Sequence, residues 1–250
     1  MIKQELRDYV NTLAAGYEDI EPAKTAILKL SENHNFCDSV VNVENSSMIA
    51  HSMLISFIEQ CEDTMHLDDY QLGNVTFTIG YVLSKFNQPT KSIAAYVVAT
   101  TKFETAFKKV QDELRAIMIA PNSDTGPLVI KAVSIADKHA ITCSNCFVPF
   151  INHGNVDKAI QYAERGLSLN PSLLYKLICY RRMAVGYQKL DKLQAAIELW
   201  KKILALVEAN PAQAENAEIK EQVEYATKMH DLCVRQIIRD AVFVEPQNNQ

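Results

Sequence analysis

Ala159 and Ala196 lie 37 residues apart, and each heads a segment with a similar order of small and large side chains. Around the first, a polar turn at Gly154-Asn155 leads into Val156-Asp157-Lys158-Ala159-Ile160-Gln161-Tyr162-Ala163, with Gly166 further on and Pro171 closing the stretch. Around the second, Tyr180-x2-Met183-Ala184-x2-Tyr187 comes first, residues 189–192 turn, and Ala196-x3-Trp200-x2-Ile203 follows. Steps of three and four residues trace one face of a helix. Small residues on that face let the two helices of a pair approach closely, large ones fill the gaps to neighbouring pairs, and proline ends a helix that it cannot continue. The pattern predicts helix pairs that repeat.

Little in the remaining chain interrupts helices. Seven glycines and eight prolines in 250 residues are each near 3%, below the usual ~7% and ~5%. A barrel or sandwich requires a turn about every ten residues, so an all-α fold is expected. Leu72, Phe77, Ile79, Leu83 and Phe86 predict a helix over 69–86, stopped by Asn87-Gln88-Pro89. Ile93, Tyr96 and Val97 predict another over 89–101, and Phe103, Phe107, Val110, Leu114 and Ile117 a third over 103–119. After a break at 121–127, helices are expected at 127–139, 140–153, 155–168, 172–189 and 192–208, with a long one over 212–241. Before residue 69, Ile2, Leu6, Tyr9 and Leu13 form one helical stripe, Glu21-Pro22 opens a second helix to Leu30, and 48–61 reads as a third. Residues 36–44 read equally as a loop or a short extended segment.

The segment 154–171 resembles the second half of a tetratricopeptide repeat, whose pattern is W-x2-L-G-x2-Y, then A-x3-F, then A-x4-P over about 34 residues. The 180–211 unit fits too, with its proline late at Pro211 and the three additional residues absorbed in the 172–176 connection. Thr76-x2-Ile79-Gly80-x2-Leu83 and Ser92-x3-Tyr96-x2-Ala99 form a more worn copy. Ser92 to Ala159 is 67 residues, close to two periods, so one further hairpin is expected over 103–139, where Phe107-x2-Val110-Gln111-x2-Leu114 matches loosely. The resemblance spans 69–211, is strongest over 140–211 and says little about 1–68. It implies an antiparallel helix-hairpin array, an α-solenoid, following a divergent acidic helical region over 1–68. Residues 212–250 would supply a long capping helix and a disordered tail.

Charge narrows the partner. The chain carries a formal −5 with a pI of about 5.7, whereas nucleic-acid binding calls for clustered Lys and Arg. Residues 1–70 hold 13 acidic and 4 basic side chains, net −9, leaving +4 on the rest. No apolar run approaches the roughly eighteen residues of a membrane span. The opening MIKQELRDYV has charges where a signal peptide needs an apolar core, so a cytoplasmic protein with reduced thiols is expected.

Candidate chemistry is sparse. Cys143-Ser-Asn-Cys146 has neither the β-α-β setting of a redox pair nor the second ligand pair of a zinc site, and in the repeat register both cysteines fall on interior positions. His34-x2-Cys37 with Cys61-x4-His66 could supply four metal ligands, but the spacing is not that of a zinc finger. His230 lies in the apolar seam Ile219, Val223, Ala226, Cys233 and Ile237, as a core histidine would. The paired acids Glu18-Asp19, Glu62-Asp63 and Asp68-Asp69 read as solvated helix ends. No nucleophile elbow, phosphate loop or H-E-x-x-H is present, so no enzyme is expected and neither cofactor nor metal is called for.

The resemblance implies a binding module whose concave surface is lined by the first helix of each pair. Carried over, the lining is Phe77, Tyr81 and Ser84; Ser144, Val148 and Ile151; and Arg181, Val185 and Gln188. One subclass grips chaperone C-termini through Lys, Asn and Arg; here only Arg181-Arg182 offers suitable charge, which disfavours that ligand. The expected function is a non-enzymatic scaffold or adaptor for a protein or peptide. The alternative is a regulator that closes on a small molecule or signalling peptide.

Overall fold

The computed structural model describes residues 68–85, 89–118 and 124–243. The helices read before residue 68, the His34, Cys37, Cys61 and His66 group, and the C-terminal tail lie outside them. Among the described residues every regular element is a helix: α1 (Asp69–Lys85), α2 (Pro89–Met118), α3 (Gly126–Asn145), α4 (Phe147–Asn152), α5 (Val156–Arg165), α6 (Leu173–Lys189), α7 (Leu193–Glu208), α8 (Pro211–Ala214) and α9 (Ala217–Phe243). They form an array of antiparallel helix pairs. Two compact units meet at the Lys138–His139 junction within α3.

In the first unit, α1 opens with a reciprocal cap. The Asp68 carboxylate accepts from the Gln71 amide at 2.8 Å, and the Gln71 side chain accepts from the Asp68 amide at 3.0 Å, which satisfies donors that a helix start leaves open. The adjoining Asp69 is largely buried and pairs with Lys109 and Lys102 of α2. Both lysines hold its carboxyl below the usual range, with the Lys109 hydrogen bond the largest influence. Gly73 and Gly80, two turns apart, lie under the rings of Phe103 and Tyr96, also two turns apart; a Cβ at either glycine would come within 2.7 Å of the ring. The small position Ser92 is fully buried and donates to the Gly80 carbonyl at 2.8 Å. The worn copy is therefore a packed hairpin.

Two expected breaks are absent. Residues 89–101 and 103–119 are one helix, α2. The junction carries threonines, not glycine or proline, and the hydroxyls of Thr100 and Thr101 donate back to the Val97 carbonyl at 2.8 and 3.1 Å, which a continuous helix accommodates. Residues 127–139 likewise run on into 140–145 as α3. The helices expected over 103–139 are thus the far half of α2 and the near half of α3. The real interruption follows Asn145, because Pro149 has no N–H to reach the Asn145 carbonyl and its ring crowds that group.

In the second unit the repeat is visible in the backbone. His153, Gly154 and Asn155 donate to Pro149, Ile151 and Phe150 at 3.1, 2.9 and 2.9 Å; 37 residues on, Leu190, Asp191 and Lys192 donate to Gly186, Gln188 and Tyr187 at 3.2, 3.0 and 2.9 Å. At the pivot of each turn stands a left-handed residue, Gly154 at φ 70° and Asp191 at φ 57°. This is the closure by which a helix satisfies its last carbonyls. The repeat's small residues Ala159, Ala163, Ala184 and Ala196 are all fully buried. Leu173, Leu177 and Ala184 of α6, Ala196, Ile197, Trp200, Ile203 and Val207 of α7, and Ile219, Ala226 and Cys233 of α9 form one core. The long final helix starts later than expected. Asn216 accepts from the amides of Glu218 and Ile219 at 2.9 and 3.3 Å and so caps α9, separating it from the single turn of α8.

Candidate functional site

Three faces of α6 are assigned by contact. Leu173, Leu177 and Ala184 belong to the core shared with α7 and α9. Cys179, Met183 and Gly186 meet Ala140, Ala163 and Ile160 on the α3–α5 side. The third face carries Arg181, Arg182, Val185 and Gln188. Arg181 donates through Nη1 to Gln222 Oε1 at 3.1 Å and lies 3.8 Å over the Tyr225 ring. Val185 packs on the core, and Gln188 Nε2 donates to Cys233 Sγ at 2.9 Å. Arg181 and Gln188 thus touch α9 directly: the C-terminal helix is seated along the face that the sequence reading left open. Each of the lining positions Arg181, Val185 and Gln188 keeps part of its surface exposed.

Of the other lining positions, Ser144 is fully buried. It accepts from Arg182 Nε at 3.3 Å, and the Arg182 guanidinium also sits 5.5 Å from the Phe147 ring. Val148 is 47% exposed and Ile151 partly so. In the first unit Phe77 is only 3% exposed and packs against Tyr96, so it builds the hairpin instead of lining it. Tyr81 and Ser84 are partly exposed, with the Ser84 hydroxyl donating to the Tyr81 carbonyl at 2.7 Å. Arg182, Gln222 and Tyr225 were not among the expected site residues. The Arg181-Arg182 doublet was visible in the sequence, but its partners on α9 were not, because the motif ends before that helix.

The C-x-x-C pair is interior. Cys143 and Cys146 are fully buried, and Cys143 Sγ lies 3.7 Å from His139 Nε2. Burial pushes the thiols of Cys146 and Cys179 up to about 12. Among the described residues no three His, Cys, Asp or Glu side chains gather to hold a metal ion. His230 is a quarter exposed and sits beside Asp231 at 3.2 Å, at the rim of the seam and not within it. In native protein Cys143 and Cys146 should react with a disulfide reagent far more slowly than in denaturant. The raised thiols also have an alkaline signature. Above pH 9 an unfolded thiol releases its proton while the folded one keeps it. The folded state then binds more protons, so stability must fall as pH rises toward 12. Urea midpoints measured between pH 8 and 11 should fall less steeply in Cys146→Ala than in the parent. Fast native labelling of both cysteines, or equal slopes, would contradict this.

No family model matches the chain, and the comparison with curated proteins found no match. Among solved structures it is similar to BtubC (BKLC) from P. vanneervenii, with 13% identity and a TM-score of 0.59, covering 100% of this chain and 95% of that one. A comparison with the TPR2AB domain of yeast Sti1 in complex with pHSP90 gives 15% identity over 90% of this chain and 99% of that one, at a TM-score of 0.28, too low to carry an argument. The likeness to BtubC is one of fold. No described helix is long and apolar enough to cross a membrane.

Proposed function

We propose that this chain is a tetratricopeptide-like adaptor that binds a protein or peptide without catalysing a reaction. The observation that carries this reading is how the repeat divides its side chains. Ala159, Ala163, Ala184 and Ala196 are consumed in helix contact with no exposure. Val148, Ile151 and Arg181, at the positions the repeat offers to a ligand, retain exposed surface. A fold built from small buried residues and a partly open apolar and cationic face has a surface for contact. Cytoplasmic placement belongs to the same proposal and follows from the sparse cysteines.

Affinity purification of the full chain from its native cell is the test. A specific protein should co-purify in stoichiometric amount. Val148→Asp should weaken its capture while leaving helicity unchanged, since exposed substitutions usually fall within about 0.5 kcal/mol of neutral. Failure of any protein to co-purify, with a small metabolite raising the melting temperature instead, would replace the adaptor with a ligand sensor.

A further inference from the structure

We infer that the outward face of α9 is a self-complementary surface on which a second copy of this chain docks antiparallel, about a two-fold axis beside His230; this goes beyond the adaptor reading and does not rest on it. Glu221, Glu224, Lys228, Asp231, Arg235 and Arg239 are all exposed, and at 3.6 residues per turn they fall within an arc of about 80°. Their charges run acid, acid, base, acid, base, base. In the reverse direction the same row is base, base, acid, base, acid, acid, so every charge meets its opposite when the helix lies against its own copy reversed. The spacing agrees. Glu221 stands nine residues before His230 and Arg239 nine after; Glu224 stands six before and Arg235 five after; Lys228 stands two before and Asp231 one after. A two-fold interface requires such symmetry, because a residue i that meets j on the other copy implies that j meets i.

Two simpler causes do not produce this order. The helix dipole favours acids in the first turn and bases in the last, but here Lys228 precedes Asp231 in mid-helix. Pairing within α9 suits Glu224 with Lys228 and Asp231 with Arg235, four residues apart. Yet Glu221 beside Glu224, and Arg235 beside Arg239, set like charges on adjacent turns, which destabilises a lone helix. A reversed copy relieves both clashes, whereas a parallel copy would set each charge on its equal. Within the chain Asp231 meets His230 and Arg239 meets Asp240, but both Asp231 and Arg239 stay more than half exposed and open to a second partner. Apolar contact comes from Leu232, Ile238 and Val242, all exposed. In this register Leu232 lies over the aliphatic stem of the partner's Lys228, and Val242 over the partner's Ala217. Exposed ion pairs are individually weak, and one helix face is small beside a permanent dimer interface. The dimer is therefore weak and sensitive to salt.

Sedimentation velocity of the purified full chain, from micromolar to submillimolar concentration and at low and high salt, is the test. The wild type should pass from the 28.1 kDa chain mass toward twice that mass as concentration rises, and return toward monomer as salt is added. The double variant Glu221→Lys with Glu224→Lys should raise the Kd of the dimer by about tenfold or more, since like charges then face each other; Arg235→Glu with Arg239→Glu should do the same. All four changes in one chain should restore dimerisation, because in the reversed register each altered charge again meets its opposite. An equal mixture of the two double variants should also pair, and it serves if circular dichroism shows that the fourfold variant has lost helicity. Three results overturn the inference: a wild type monomeric throughout, a dimer indifferent to either double variant, or a helical fourfold variant that stays monomeric. If the fourfold variant is not helical, a mixture that fails to pair overturns it equally.

Discussion

Trp200→Ala is expected to cause the largest loss of stability of any single substitution in the second unit, about 3–5 kcal/mol. The indole is fully buried at the centre of the core that α6, α7 and α9 share. It meets the Tyr225 ring edge-on at 5.8 Å and 64°, and Arg181 lies across the same tyrosine. Truncation therefore opens a cavity and loosens the seat of α9 together. Trp200→Phe keeps a ring and removes an indole N–H that has no hydrogen-bond partner, so its loss should be smaller, about 1–2 kcal/mol. Urea unfolding followed by circular dichroism measures both. Near-equal losses for the two variants would mean that ring volume does not hold α9 in place.

Gly186→Val is the second. Gly186 lies where α6 crosses α5, and a Cβ there would stand 2.4 Å from Ile160 Cγ1 and 3.0 Å from its Cδ1. Overpacking of this kind costs about 1–3 kcal/mol, and replacing glycine within a helix returns less than about 1 kcal/mol. The diagnostic is a double variant. Ile160→Ala alone should destabilise by creating a void, yet combined with Gly186→Val it should recover part of the loss, since the two sites share one volume. Strict additivity would place the valine elsewhere.

The all-α class and the helix pairs from 155 to 208 were legible in the sequence because spacing and small residues act within one hairpin. Ala159 and Ala196 are both fully buried, and Gly154 and Asp191 turn the chain in the same register. What was not legible depended on single backbone groups. Thr100 and Thr101 look like a linker but back-bond within α2, and Pro149 breaks a helix that its apolar neighbours would continue. Of the candidate site, the positions on α6 could be listed but not their surroundings. Val185 and Gln188 have a periodicity equally suited to a ligand or to the protein's own last helix, and α9 claims part of that face. Phe77 was assigned to a ligand surface by motif arithmetic, but the ring is large and Tyr96 stands within 5.9 Å, so burial prevails. The Asp68-Asp69 pair divides in a way sequence alone could not show, Asp68 capping α1 and Asp69 reaching across to α2.

The contacts of the second unit run between helices near each other along the chain: α4 with α5, α5 with α6, α6 with α7, and α9 with α6 and α7. Loops between them are short, so little chain entropy is lost before a contact forms, and folding in microseconds to milliseconds is expected of such local topology. Chains leave the ribosome N-terminus first at about 5–20 residues per second. The α5–α6 hairpin can therefore be assembled while Trp200 and the whole of α9 are still being synthesised, and the nascent unit spends seconds with the arginine face of α6 bare before its own last helix arrives to cover part of it.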